Sequence, residues 1–257
     1  MRRLSSATRR RRHRPASVAP RPFAVLDRRP HGCWTKMAPL THRALLALTL
    51  LLSVALQPVC AHEEPWQADL DRFAAEDRAT TPSNAPIVFV GSSSIRLWPD
   101  LNHVFSNPGI LNRGFGGSRL ADVDRLAEQL VLRYQPRQAV IYAGDNDLAE
   151  GLLPAQVAAD FISLVERLRS TRPKLAIAFI AIKPSPARAH LMAGARDANM
   201  RIRRFAESED GIAYIDVFTP MLDRYGNARS ELFGPDGLHL NTAGYALWAE
   251  QVAPFLR

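Results

Sequence analysis

Continuous apolar runs of four to six residues alternate along the chain with longer segments whose apolar positions recur at helical spacing. Ile87-Val88-Phe89-Val90 is uninterrupted and stops at Gly91, as a strand buried on both faces would. Gln138–Tyr142, Ala176–Ile180 and Ile212–Val217 read the same way, and Gly109-Ile110-Leu111-Asn112 is a shorter candidate. Between them, Leu120 to Tyr134 sets Val123, Leu126, Leu130 and Leu132 largely on one side, and Val157 to Leu168 does so with Phe161, Leu164 and Leu168. Arg188 to Glu207 and Ala243 to Leu256 complete the predicted helices. Strands separated by helices imply a parallel sheet covered on both faces, a three-layer α/β/α sandwich. In such sheets, ligands bind beyond the carboxyl ends of the strands.

The N-terminal region follows neither pattern. Residues 1–36 are rich in Arg, Pro and Ser without hydrophobic periodicity, which is the composition of a disordered extension. Met37 then opens a secretory pattern and is read as the start of translation. A short basic stretch ends at Arg43, an apolar run spans Ala44 to Leu56, and a cleavage position follows Ala61. The run is short for a membrane span, so no stable membrane anchor is expected after cleavage. An Arg-rich mitochondrial presequence is the rival reading. On the first reading, residues 37–61 are a signal peptide, residues 62–257 one folded domain, and the location secreted or periplasmic.

Charge changes meaning once the extension is set aside. The chain carries +8 overall, but ten arginines and Lys36 against Asp27 give residues 1–36 alone +10, leaving the remainder at −2. Nucleic-acid binding by the folded domain is therefore not expected. Cys33 and Cys60 both precede the cleavage position, so the mature domain holds no disulfide, thiol nucleophile or cysteine-based zinc site. No feature of the pattern specifies an oligomer.

Candidate chemistry lies in four blocks: Gly91-Ser92-Ser93-Ser94, Asn112 to Gly117, Gly144-Asp145-Asn146-Asp147 and Asp236-Gly237-Leu238-His239. Three follow a predicted strand directly, and the fourth lies in a loop before the last helix. They supply a hydroxyl, a base three residues from a carboxylate, and separate donors for an oxyanion. Singly, each has a plainer reading: a Ser-rich helix cap, a tight glycine turn, an Asn turn former, a surface Asp–His pair. His62, His103 and His190 lack such context, and Trp66 and Trp248 read as packing residues. The order Ser, Asp, His also fits α/β-hydrolases, but Ile95 stands where the second glycine of their Gly-x-Ser-x-Gly turn would be. A metal site built from Asp145, Asp147, Asp236 and His239 lacks the usual His-x-x-x-His spacing.

In this order, the blocks resemble those of the SGNH (GDSL) hydrolase superfamily, from about Ile87 to Trp248. Gly-Ser-Ser-Ser-Ile, Asn-Arg-Gly-Phe-Gly-Gly and Ile182-Lys183-Pro184-Ser185-Pro186 are similar to bacterial secreted members near the platelet-activating-factor acetylhydrolase type. The resemblance implies a flavodoxin-like SGNH hydrolase fold and a serine esterase that needs no cofactor and no metal. It implies Ser93, Asp236 and His239 as catalytic residues, and the Ser93 N–H, Gly117 N–H and Asn146 amide as the oxyanion hole. Ser92 stands where the family has Asp, and the run of serines leaves Ser94 as an alternative nucleophile. Trp98 falls where many relatives carry Trp. Asn112, Arg113, Asp145 and Asp147 are expected to order loops. The expected substrates are short-chain acyl or acetyl esters of sugars or lipids, cleaved through an acyl-enzyme. A non-catalytic exported domain binding acylated glycans or lipids is the alternative.

Overall fold

The computed structural model describes residues 65–106 and 109–257. The expected extension and signal peptide lie outside them. Five strands form one sheet: β1 (Ile87–Gly91), β2 (Ile110–Gly114), β3 (Gln138–Tyr142), β4 (Ala176–Ile180) and β5 (Ile212–Ile215), in the order β2-β1-β3-β4-β5. Every pairing is parallel. β1, β3 and β4 are buried along their whole length, as their unbroken apolar runs require.

The helices are α1 (Gln67–Ala79), α2 (Ser93–Arg96), α3 (Leu101–Val104), α4 (Leu120–Arg125), α5 (Ala127–Leu130), α6 (Asp145–Ala149), α7 (Pro154–Thr171), α8 (Met192–Ser208) and α9 (Thr242–Val252). Among the described residues no helix is long and apolar enough to cross a membrane.

Period-two alternation along the strands assigns the layers. Phe89, Gly91 and Tyr142 share one face, where Phe89 meets Trp98 and Phe105, and Tyr142 meets Trp248 of α9. Phe179 pairs with Ile141 on the opposite face and packs on Phe161 of α7, which in turn meets Phe205 of α8. Burying each such aromatic contributes about 2–3 kcal/mol before entropy is charged against it. The chain is thus an α/β sandwich around a parallel sheet.

Two helices differ from the sequence expectation. Leu120 to Tyr134 is not one helix: the backbone departs from helical geometry at Leu126 and Val131, giving α4, α5 and a 3₁₀ turn. Leu126, Ala127, Leu130, Val131 and Leu132 are all buried, which is wider than the single face a straight helix can cover. The helix expected from Arg188 instead begins at Met192, after a 3₁₀ segment Pro186–Leu191.

Asn112 and Arg113 lie within β2, which runs two residues past the expected strand end at Asn112. Asn112 Nδ2 donates to Ile95 O at 2.8 Å and its Oδ1 accepts from Gly114 N at 2.9 Å, tying β2 to α2. Arg113 is buried and pairs with Asp77 and Glu76 of α1, while its Nε donates to Tyr134 Oη at 2.9 Å. Strand order 2-1-3 makes β1 and β3 the point where the chain switches direction across the sheet. A crevice is therefore expected beyond their carboxyl ends.

Candidate active site

β1 ends at Gly91, whose φ is +136° and where a Cβ would lie 1.8 Å from Tyr142 O. Only glycine lets the chain leave the sheet this close to β3. The three serines that follow have different fates. Ser92 and Ser94 are fully buried, whereas Ser93 is partly open. Ser93 begins α2, a single turn whose first N–H groups have no intrahelical acceptor.

Opposite Ser93, Asp236 and His239 lie in a tight loop between Phe233 and Leu240, which form an antiparallel bridge. Asp236 Oδ1 accepts from Leu238 N at 2.9 Å and His239 N at 3.0 Å, and its Oδ2 lies 2.6 Å from His239 Nδ1. The Leu238 N–H, then the imidazole and the His239 N–H, hold the Asp236 carboxyl well below its ordinary range. With Nδ1 engaged, His239 Nε2 faces Ser93 Oγ at 3.0 Å. Asn241 caps α9 through Gly244 N, and Tyr245 of that helix donates to Ser94 O at 3.0 Å, so the His-bearing and Ser-bearing loops are fastened together.

The Gly114–Ser118 loop follows β2. At Gly117 φ is +75°, and a Cβ built there would meet no atom within 4 Å, so its backbone borders open space. Trp66 Nε1 donates to Gly116 O at 2.8 Å and the indole packs edge-on against Phe115, which makes it a support for this loop. Asn146, on the first turn of α6 after β3, donates from Nδ2 to Ser118 O at 3.1 Å, joining the second and third blocks. Trp98 and Trp248 are core residues, and His103 and His190 are exposed. His62 lies outside the described residues.

Asp145 and Asp147 have other partners than Ser93 and His239. Asp145 is buried and its Oδ2 meets Lys183 Nζ at 3.1 Å and Arg188 Nη1 at 3.0 Å. Burial works to raise its pKa, but Lys183 and Arg188 overcome this and hold it below the ordinary value. Asp147 Oδ1 accepts from Leu120 N at 3.0 Å, and burial pushes this carboxyl up to about 6. Among the described residues, no three His, Cys, Asp or Glu side chains gather as a metal site would require.

Sequence reasoning gave no role to Lys183, Arg188, Tyr142 or Asn199. Asn199 clamps the strand extension, accepting from Ile182 N at 2.8 Å and donating to Ile182 O at 2.9 Å. The available signal was Lys183, a lone cation directly after the long apolar run that ends at Ile182.

A parallel sheet carrying a linked Asp, His and Ser beyond its switch point is the architecture of a hydrolase. The chain belongs to the GDSL-like lipase/acylhydrolase family, whose model matches residues 87–247, and is an ester-hydrolysing enzyme of that family. No curated protein matches its sequence. Among solved structures, it is similar to a Streptococcus pneumonia protein provisionally described as a platelet activating factor: 18% identity, 83% of this chain, 99% of the other, TM-score 0.66. A GDSL-like lipase from Bacteroides thetaiotaomicron matches at 22% identity over 72% of this chain and 95% of its own, TM-score 0.62. A carbohydrate esterase of family 3 from Talaromyces cellulolyticus matches at 16% identity over 66% and 95%, TM-score 0.53. These likenesses establish the fold.

Proposed function

We propose that the protein cleaves short-chain acyl or acetyl esters of sugars or lipids by double displacement at Ser93. The observation that carries this is the relay in which Asp236 Oδ2 lies 2.6 Å from His239 Nδ1 and His239 Nε2 lies 3.0 Å from Ser93 Oγ. Asp236 fixes the tautomer with Nε2 unprotonated, so that His239 takes the Ser93 proton as Oγ attacks the ester carbonyl. The Ser93 N–H, the Gly117 N–H and the Asn146 amide receive the oxyanion. His239 then protonates the leaving alcohol, and water releases the acid by the same route. The side chains of His239 and Asp236 are 33% and 51% exposed, which leaves the leaving-group side open to a bulky alcohol such as a sugar.

The test is hydrolysis of short aryl esters and acetylated sugars, combined with labelling by a fluorophosphonate. Ser93→Ala should abolish turnover and labelling, whereas Ser94→Ala should keep both. Labelling lost with Ser94→Ala and retained in Ser93→Ala would overturn the assignment. Asn146→Ala should lower kcat by roughly 10²–10³ with a far smaller change in KM, since its donor is aimed at charge that develops in the transition state.

A further inference from the structure

Asn146 is gripped on both sides of its amide. Its Oδ1 accepts from Arg188 Nη2 at 2.9 Å, while its Nδ2 donates to Ser118 O at 3.1 Å. A carboxamide nitrogen carries two hydrogens, and Ser118 takes one, leaving the second for a ligand. Both contacts select the same orientation. Turned over, the amide would set its NH₂ against the Arg188 guanidinium and its oxygen against the Ser118 carbonyl. The oxyanion would then face an acceptor in place of a donor.

Arg188 is itself held. Its Nη1 lies 3.0 Å from Asp145 Oδ2, the same oxygen that meets Lys183 Nζ at 3.1 Å, and Lys183 Nζ also bonds Tyr142 Oη at 3.0 Å. Lys183 and Asp145 are almost wholly buried, and Arg188 is about one-fifth exposed. Burial, then the Asp145 charge, raises the Tyr142 phenol well above its ordinary value, so it stays neutral. Two cations therefore share one carboxylate, and the group keeps a net positive charge directly behind Asn146. The 3₁₀ segment makes the reach possible, because Arg188 has non-helical backbone angles (φ −118°, ψ 30°) and does not follow the path of α8.

We propose that Arg188 is a positioning residue for the oxyanion site. Its guanidinium forks between Asp145 and the Asn146 carbonyl, locking the amide with its N–H toward the developing charge. This rests on the oxyanion role proposed for Asn146. Arg188 acts through that amide and does not touch the ester. The directed Nη2 donor holds the amide while Nη1 pairs with Asp145 by charge; an ammonium, as a point charge, does not divide these tasks.

The experiment is a double-mutant cycle between Arg188 and Asn146 on aryl-ester turnover, with thermal unfolding of each variant alongside. Arg188→Met should lower kcat by roughly 10- to 100-fold with KM within about twofold, up to the scale of a misplaced group at a reacting centre. In the Asn146→Ala background, the same change should alter kcat by less than about twofold. Arg188→Lys keeps the charge beside Asp145 and the fold, and should still lose most of what Arg188→Met loses; it carries the cycle if Arg188→Met does not fold. An equal kcat loss with and without Asn146 would overturn the proposal while leaving the oxyanion role of Asn146 intact. Full kcat in Arg188→Lys would overturn it as well. If Asn146→Ala alone leaves kcat unchanged, the oxyanion reading itself falls.

Discussion

Asp236 shows how one side chain can be specified by its nearest neighbours. One oxygen takes two backbone N–H groups of its own loop, and the other is left for the imidazole. The first contacts fix where the carboxylate sits, and the second fixes which ring nitrogen of His239 carries a proton. Asp236→Asn can keep the loop bonds through its carbonyl oxygen, yet it presents an NH₂ to Nδ1. The imidazole must then accept there, and Nε2 becomes protonated and cannot serve as base. The expected outcome is a fall in kcat of roughly 10⁴ with little change in unfolding temperature, the pattern of a tautomer defect. A variant with kcat within tenfold of wild type would show that His239 is not oriented through this bond. The Asp-x-x-His spacing and its loop context were legible in the sequence. The choice of Ser93, with Ser94 as the alternative, comes from the resemblance alone, because periodicity is silent in a turn. In the fold it is set by Gly91, whose left-handed geometry re-aims the chain.

At the scale of elements, the strands were readable because a parallel sheet buries both faces and leaves an unbroken apolar run. Gln138–Tyr142 and Ala176–Ile180 have the expected bounds. α1 escaped notice because only Phe73 within it is buried, so it carries almost no hydrophobic signature. It is joined to the sheet by charge: buried Arg113 of β2 pairs with Asp77 and Glu76, its guanidinium 4.9 Å from the centre of the Tyr134 ring. The two acids differ in exposure, since the Asp77 side chain is 13% exposed and that of Glu76 45%. Removing the sheltered partner leaves the buried cation with only the half-exposed Glu76 as counter-charge, whereas removing the exposed one loses a pair that water already screens. Asp77→Ala should therefore cost about 3 kcal/mol in urea unfolding, and Glu76→Ala under about 1 kcal/mol. Equal losses would mean that α1 is not anchored through the Arg113–Asp77 pair. Because Trp66 precedes α1 and holds Gly116 O, loosening this helix should also reduce turnover.

For the whole molecule, two carboxylates shift stability with pH in opposite directions. Asp236, held below the ordinary value of 3.8, contributes stability that is present above that value and is lost as pH falls. Asp147 behaves in the reverse sense. Its Oδ2 is buried without a partner, and the carboxyl is raised from 3.8 to about 6. As pH rises from about 4 to about 6, the unfolded chain releases this proton first, so the native state binds more protons and stability falls across the window. Above about 6 both states are ionised at this position, and the slope it imposes vanishes. Asp147→Asn removes the titration while keeping an oxygen for Leu120 N–H. Urea midpoints at pH 4, 5, 6 and 7 should show wild type losing stability relative to Asp147→Asn between pH 4 and 6, then running parallel to it. Subtracting the two curves cancels the titrating groups that do not couple to Asp147, so the difference reports Asp147 together with its charge coupling to Asp145 and Asp160. A constant offset from pH 4 to 7 would mean that its carboxyl titrates at the ordinary value. The buried oxygen would then have to be reached by solvent, and the α6 turn that carries Asn146 would be more open than the packing against Leu120 implies.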